Sequence, residues 1–90
     1  MAVYVDDLRE WNGRQWCELV GTNESELELF AVTKLELKPK WLQTTGGYKH
    51  YHLRPALREL ALRRGAKYIP TEELKRRIRP RQGQEAEEET

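Results

Sequence analysis

The apolar residues of this chain recur with a period of two in some short stretches and near 3.6 in others, with turn residues at most of the switches. No stretch is long enough to bury itself, so short helices must be laid on a small sheet. Residues 2–6 alternate, Val3 and Val5 facing one way and Tyr4 and Asp6 the other. Residues 7–14 read as a polar loop around the turn signal Asn12-Gly13. Residues 15–20 read as a second strand, pairing antiparallel with the first. Thr22 or Asn23 then caps a helix with the stripe Leu27, Phe30, Ala31 and Leu35, Glu26 forming a loose capping box with Asn23. That helix must end before Pro39.

Residues 40–44 and 48–53 are two further strand expectations, separated by Gly46-Gly47. From Arg54 the signals for a helix are stronger. Pro55 suits a first turn, Leu57, Leu60 and Ala61 make a stripe, Arg63 and Arg64 suit the C-terminal dipole, and Gly65 suits the left-handed position after it. Residues 66–69 form a last short strand. Thr71 caps a final helix with Leu74 and Ile78 as its apolar face, ended by Pro80. The expected fold is a single α/β (α+β) domain over residues 1–80, with a small mixed sheet of four to five strands and two to three helices. Residues 81–90 form an acidic disordered tail.

With 38% hydrophobic and 34% charged residues, this composition would border on disorder without such patterning. Cys17 is the only cysteine, so no intrachain disulfide can staple the fold. The start lacks the apolar stretch of about 7–15 residues that a signal peptide needs. No run approaches the roughly 20 apolar residues of a membrane span. A cytoplasmic protein without membrane contact is expected, and no pattern sets an oligomeric state. The net charge of +1 hides an asymmetry, with −2 over residues 1–53, +7 over residues 54–81 and −4 over residues 82–90.

The polar candidates follow from strand faces and charge. Asp6 and Asp7 end the first strand, with Arg9 in the adjoining loop. His50-x-His52 puts two imidazoles on one strand face, about 6.6–6.8 Å apart along the chain, a spacing that lets them share a metal with an acid from Asp6, Asp7 or Glu18. Trp41 and Gln43 would share a strand face near Tyr48 and His50, a pairing that stacks on a ring and hydrogen-bonds its edge. Cys17, flanked by Trp16 and Glu18, lacks a neighbour that would activate a thiol. Trp11 and Trp16 read as packing residues, and the Arg-rich segment after Arg54 reads as a solvated helix face or a phosphate-binding one.

Val3-Tyr4-Val5-Asp6-Asp7-x-Arg9, Gly13-Arg14, Cys17 before an acidic helix, Trp41-x-Gln43, His50-Tyr51, Arg58, Ala61 and Gly65-Ala66 together resemble domain of unknown function 4031. This is a family of small bacterial and phage proteins, and the resemblance runs in order from Met1 to Ile69. It implies a fold unit and a site location more than a chemistry. Three departures from the family pattern stand out. Glu18 follows Cys17 where His is frequent, Gly21-Thr22-Asn23 replaces Ala-Asp-Thr, and His52 follows His50-Tyr51 where Asp is frequent. Asp and His both ligate metals and carry protons, so a site using the last position would be altered here.

The resulting functional expectation is a module binding a phosphate-bearing ligand, a nucleotide or nucleic acid. Arg9, Arg14, Lys40, His50 and Arg58 supply charge, Trp41 a stacking surface, and Gln43 and Asp6 orientation. No cofactor is required for this, although a divalent metal is possible. The first alternative is a metal-assisted phosphoesterase or other hydrolase with Asp6, Asp7, His50 and His52 around the ion, His50, His52 and Asp6 being the candidate metal ligands. The second is a protein–protein adaptor docking through Arg-rich helices.

Overall fold

A computed structural model of the chain describes residues 2–77. The long strand β3 (Arg14–Gly21) runs through the middle of the sheet. Its Leu19 pairs with Val5 of β1 (Val3–Val5) and with Tyr51 of β4 (Tyr51–Leu53), both antiparallel. β5 (Lys67–Tyr68) adds to β1 in parallel, and its continuation is held by the Ile69 amide on the Val5 carbonyl at 2.9 Å. With β2 (Arg9–Trp11) the sheet has five strands of mixed direction, and three helices complete an α+β domain.

β2 corrects the expectation of a polar loop over residues 7–14. Arg9, Glu10 and Trp11 pair with Trp16, Gln15 and Arg14, a tight hairpin around Asn12-Gly13. Both turn residues have positive φ, 56° and 77°. That conformation suits Asn and Gly, and its twist matches the strands it joins. Only Asp6, Asp7 and Leu8 are left to connect β1 with β2.

Helix α1 (Glu24–Leu35) is capped by Asn23, whose side chain accepts the Glu26 amide at 2.8 Å. The Glu26 carboxylate does not close a capping box on Asn23. It accepts from the Thr22 hydroxyl at 2.9 Å and the Ala2 amide at 3.1 Å, tying the helix to the start of β1. α1 ends at Glu36 in the left-handed region, φ 54°. Helix α2 (Pro55–Arg63) starts on its proline, and Gly65 follows it at φ 113°, as expected from the signals at both ends. Helix α3 (Thr71–Arg77) buries Leu74. Ile78, Pro80 and the tail lie outside the described residues.

Residues 40–44 do not form a strand. Pro39–Trp41 is one 3-10 turn, and Gln43 alone bridges to His50. Pro39 presets the φ that opens such a turn, and the chain just before β4 meets this segment only where His50 bridges Gln43. Trp41 and Gln43 therefore do not share a strand face. No helix of the described residues is long and apolar enough to cross a membrane.

Both faces of β3 are covered. Cys17 and Leu19 join Val3, Val5, Tyr51 and Leu53 under Leu27, Ala31 and Leu35 of α1 and Ala61 of α2. On the opposite face Val20 packs with Tyr48, Ile69 and Leu74, Tyr4 lying against them. This second face also carries the polar residues.

Candidate functional site

Alternation along β3 sends Glu18 to the second face between two apolar neighbours. Its carboxylate is almost fully buried and is shared by three side chains. Arg9 Nη2 donates to Oε2 at 2.6 Å, the Tyr48 hydroxyl donates to Oε1, and His50 Nε2 stands 3.9 Å from Oε1. Asp6, 0% exposed, lies beside it. Its Oδ1 accepts the Glu18 amide at 2.7 Å, and its Oδ2 accepts the Thr71 hydroxyl at 3.0 Å and lies 3.3 Å from Arg9 Nη2. One guanidinium thus bridges two buried carboxylates, an arrangement whose attraction offsets part of their desolvation.

The two acids respond oppositely to this environment. Burial pushes Glu18 upward, but the bonds from Tyr48 and Arg9 and the charge of His50 outweigh it and hold its carboxyl below the usual range. At Asp6 burial wins over the Glu18 amide, the Arg9 charge and the Thr71 bond, and the carboxyl is pushed up. Burial, with the Asp6 charge behind it, pushes the Cys17 thiol up to about 12, so it is protonated at neutral pH and inert as a nucleophile.

Above these groups opens a cleft of about 430 Å³, lined among others by Arg9, Glu18, Tyr48 and His50. The His50 ring stacks on Tyr48 at 4.4 Å between centroids and meets the His52 ring edge-on at 4.9 Å. Its Nδ1 lies 3.2 Å from the Tyr48 carbonyl, which can only accept, so Nδ1 carries a proton and Nε2 turns toward Glu18. One wall is a triangle of rings, Trp11, Trp16 and His52, each pair of centroids 6.4 Å apart. The hairpin creates this wall, because β2 holds Trp11 beside β3 while β4 holds His52 opposite Glu18. The same three rings also line an adjoining hollow of about 390 Å³, together with Lys40, Trp41, Gln43 and Arg54.

Of the residues expected at a site, Asp6, Arg9 and His50 meet around Glu18, and His52 stands in the wall. Lys40, Trp41 and Gln43 line the adjoining hollow. Asp7 and Arg58 go elsewhere. The Asp7 carboxylate accepts the Tyr68 hydroxyl and, at 3.0 Å, the Thr71 amide, which holds its acid below the usual range. Arg58 Nε donates to the Asp6 carbonyl at 3.0 Å, with its guanidinium 5.7 Å from the Tyr68 ring. Arg14 is exposed where β3 begins and lines neither hollow.

By sequence Glu18 is only an acid near the histidines, yet it is the centre of the cluster. Its signal is a single carboxylate inside the apolar run Trp16-Cys17-Glu18-Leu19-Val20. The sequence around Trp11 and Trp16 suggests packing residues, yet both line the hollows. Among the described residues, no group of three or more His, Cys, Asp or Glu is gathered in a way that could hold a metal ion. Neither a curated protein nor a solved structure matches the chain. A family model described as protein of unknown function (DUF4031) matches residues 3–81, nearly the whole chain, and the chain belongs to that family.

Proposed function

We propose that the cleft binds a nucleotide, its planar base against the ring wall and its phosphate at the cationic rim. The observation that carries this reading is the Trp11–Trp16–His52 triangle standing over a buried, ionised carboxylate. Rings at that spacing offer faces for stacking. Glu18 accepts hydrogen bonds and so suits the N–H edge of a base. The floor is a poor place for phosphate, because Asp6 and Glu18 stand there against Arg9. Phosphate is better served just across the ring wall, where the Arg54 guanidinium in the lining of the adjoining hollow lies 5.2 Å from the Trp16 ring. This function needs no metal and suits a cytoplasmic protein.

The test is quenching of tryptophan emission by nucleoside monophosphates at about 50 and 200 mM salt. Saturable quenching that weakens with salt and falls by about tenfold in Trp11→Ala is expected, one stacked ring being worth about 1–3 kcal/mol. Absence of quenching by all four common monophosphates at the lower salt removes the proposal.

A second reading, a metal-assisted phosphoesterase, draws on the 4.9 Å approach of the two histidine rings and on Glu18 beside His50. Both Asp6 oxygens are already engaged and the described residues hold no gathered set of three ligands, so a metal here would have to draw His50, His52 and Glu18 together on binding. A rise in melting temperature on adding Mn²⁺ or Zn²⁺ to untagged protein, lost in His52→Ala, is its expected signature. An unchanged melting temperature rejects it.

A further inference from the structure

Resting on the nucleotide reading of the cleft, we infer that the occupant is a single-stranded oligonucleotide, which crosses the ring wall and continues through the adjoining hollow to Trp41. The cleft and the hollow are not separate cavities with separate linings, since Trp11, Trp16 and His52 belong to both. A base stacked on one side of that wall has its neighbour in the strand directed to the other side. Large rings lie open on this route. Trp11 is 65% exposed and Trp41 47%, an unusual outlay of aromatic surface for a chain with three tryptophans.

The charges divide in the same direction. The cleft lining includes Glu10 and Glu18, whereas that of the hollow includes Lys40 and Arg54 and no carboxylate. Lys38 adds its ammonium 5.6 Å from the Trp41 ring. Cations interleaved with ring faces are what a backbone phosphate followed by a stacked base requires. A second observation is independent of the exposed rings. Trp16 Nε1 and Arg54 Nε are buried donors with no hydrogen-bond acceptor among the described residues, and both residues line the hollow. A buried N–H without an acceptor is costly, and an oxygen-rich anion entering the hollow supplies one once the side chain turns toward it. A duplex would present neither free base faces nor a backbone narrow enough for this route, so the strand must be single.

The experiment compares, on the full chain, a fluorescently labelled oligothymidylate and oligouridylate of about eight nucleotides, the corresponding monophosphates, and a duplex of the same length. The single strands are expected to bind at least about tenfold more tightly than the monophosphates and the duplex, and Trp41→Ala to remove about tenfold from single-strand affinity. Monophosphate affinity should change by less than about twofold, since Trp41 lies outside the cleft lining. Trp41→Phe should recover most of the loss, and an unchanged melting temperature shows that the variants fold. Tight binding of either sugar type supports the inference, and the difference between the two arms reads whether the 2′-hydroxyl is used. Single strands that bind no better than monophosphates, or single-strand affinity untouched by Trp41→Ala, overturn it while leaving the nucleotide reading standing. Failure of monophosphates and strands alike overturns both.

Discussion

The two faces of β3 are built from the same eight residues and carry opposite chemistry. Cys17 and Leu19 look into an apolar layer closed by two helices, whereas Glu18 one residue away looks into a layer holding Asp6, Arg9, Tyr48 and His50. The apolar side needs only shape and area, and contributes on the order of 25 cal/mol per Å² removed from water. The polar side buries two acids, and its stability depends on each having partners in place. One strand thus carries apolar packing on one side and a network of paired charges on the other.

The strongest way to break that division is from the apolar side. Leu19→Ala should cost about 2–5 kcal/mol in urea unfolding, because Leu19 is fully buried at the crossing of three strands. Any folded fraction should keep whatever nucleotide affinity the native chain shows in the quenching test. Glu18→Gln sharpens the comparison from the other side. It should cost about 1–3 kcal/mol near neutral pH, since Arg9 and His50 lose their charged partner. It should also change the acid limb of the stability curve. A carboxyl held below its ordinary 4.5 contributes stability that is present above that pH and lost as pH falls through its folded value, so the variant should lose less on acidification than the native chain. Asp6 acts in the opposite sense. With its folded value raised above 3.8, its contribution is present at low pH and lost as pH rises through that folded value, so Asp6→Asn should steepen the acid loss. Parallel acid limbs in the native chain and both variants would break the assignment of opposite shifts.

Smaller effects come from positions that belong to neither buried layer. Glu36→Gly should stabilise by about 0.5–1 kcal/mol in the same measurement, because a left-handed φ of 54° strains a residue with a side chain. Trp11→Ala should move unfolding by no more than about 0.5 kcal/mol, the ring being mostly exposed. Its effect should fall on binding instead, as described for the cleft.

Much of the apolar side could be read from the sequence. Val3 and Val5 alternate with Tyr4 as a half-buried strand should, and Pro55, Leu57, Leu60, Ala61 and Gly65 mark a helix from both ends. These signals are local. Residues 40–44 misled because strand propensity says nothing about whether a partner runs alongside, and only Gln43 finds one. The hairpin was legible in Asn12-Gly13, but the exposed strand Arg9-Glu10-Trp11 has no apolar alternation to announce it.

At the site, the nearness of Asp6, Arg9 and His50 followed from strand faces and from the family resemblance. The importance of Glu18 did not, because an acid in a strand reads by alternation as facing water. It is buried only because α3 and the segment around Tyr48 close over that face, and Tyr48 stands 30 residues away in the chain. The linking role of Trp16 and His52 was hidden similarly, since it depends on β2 and β4 both reaching β3.

The bonds from Asp6 and Asp7 to Thr71 join positions 65 and 64 residues apart. While the chain is being synthesised, neither acid can find this partner until the segment beyond α2 has left the ribosome. The helix-covered side can assemble earlier from shorter-range contacts. The polar side should therefore be the last part of the molecule to mature, and a chain that ends before Thr71 should hold ordered helices while Asp6 and Asp7 lack these partners.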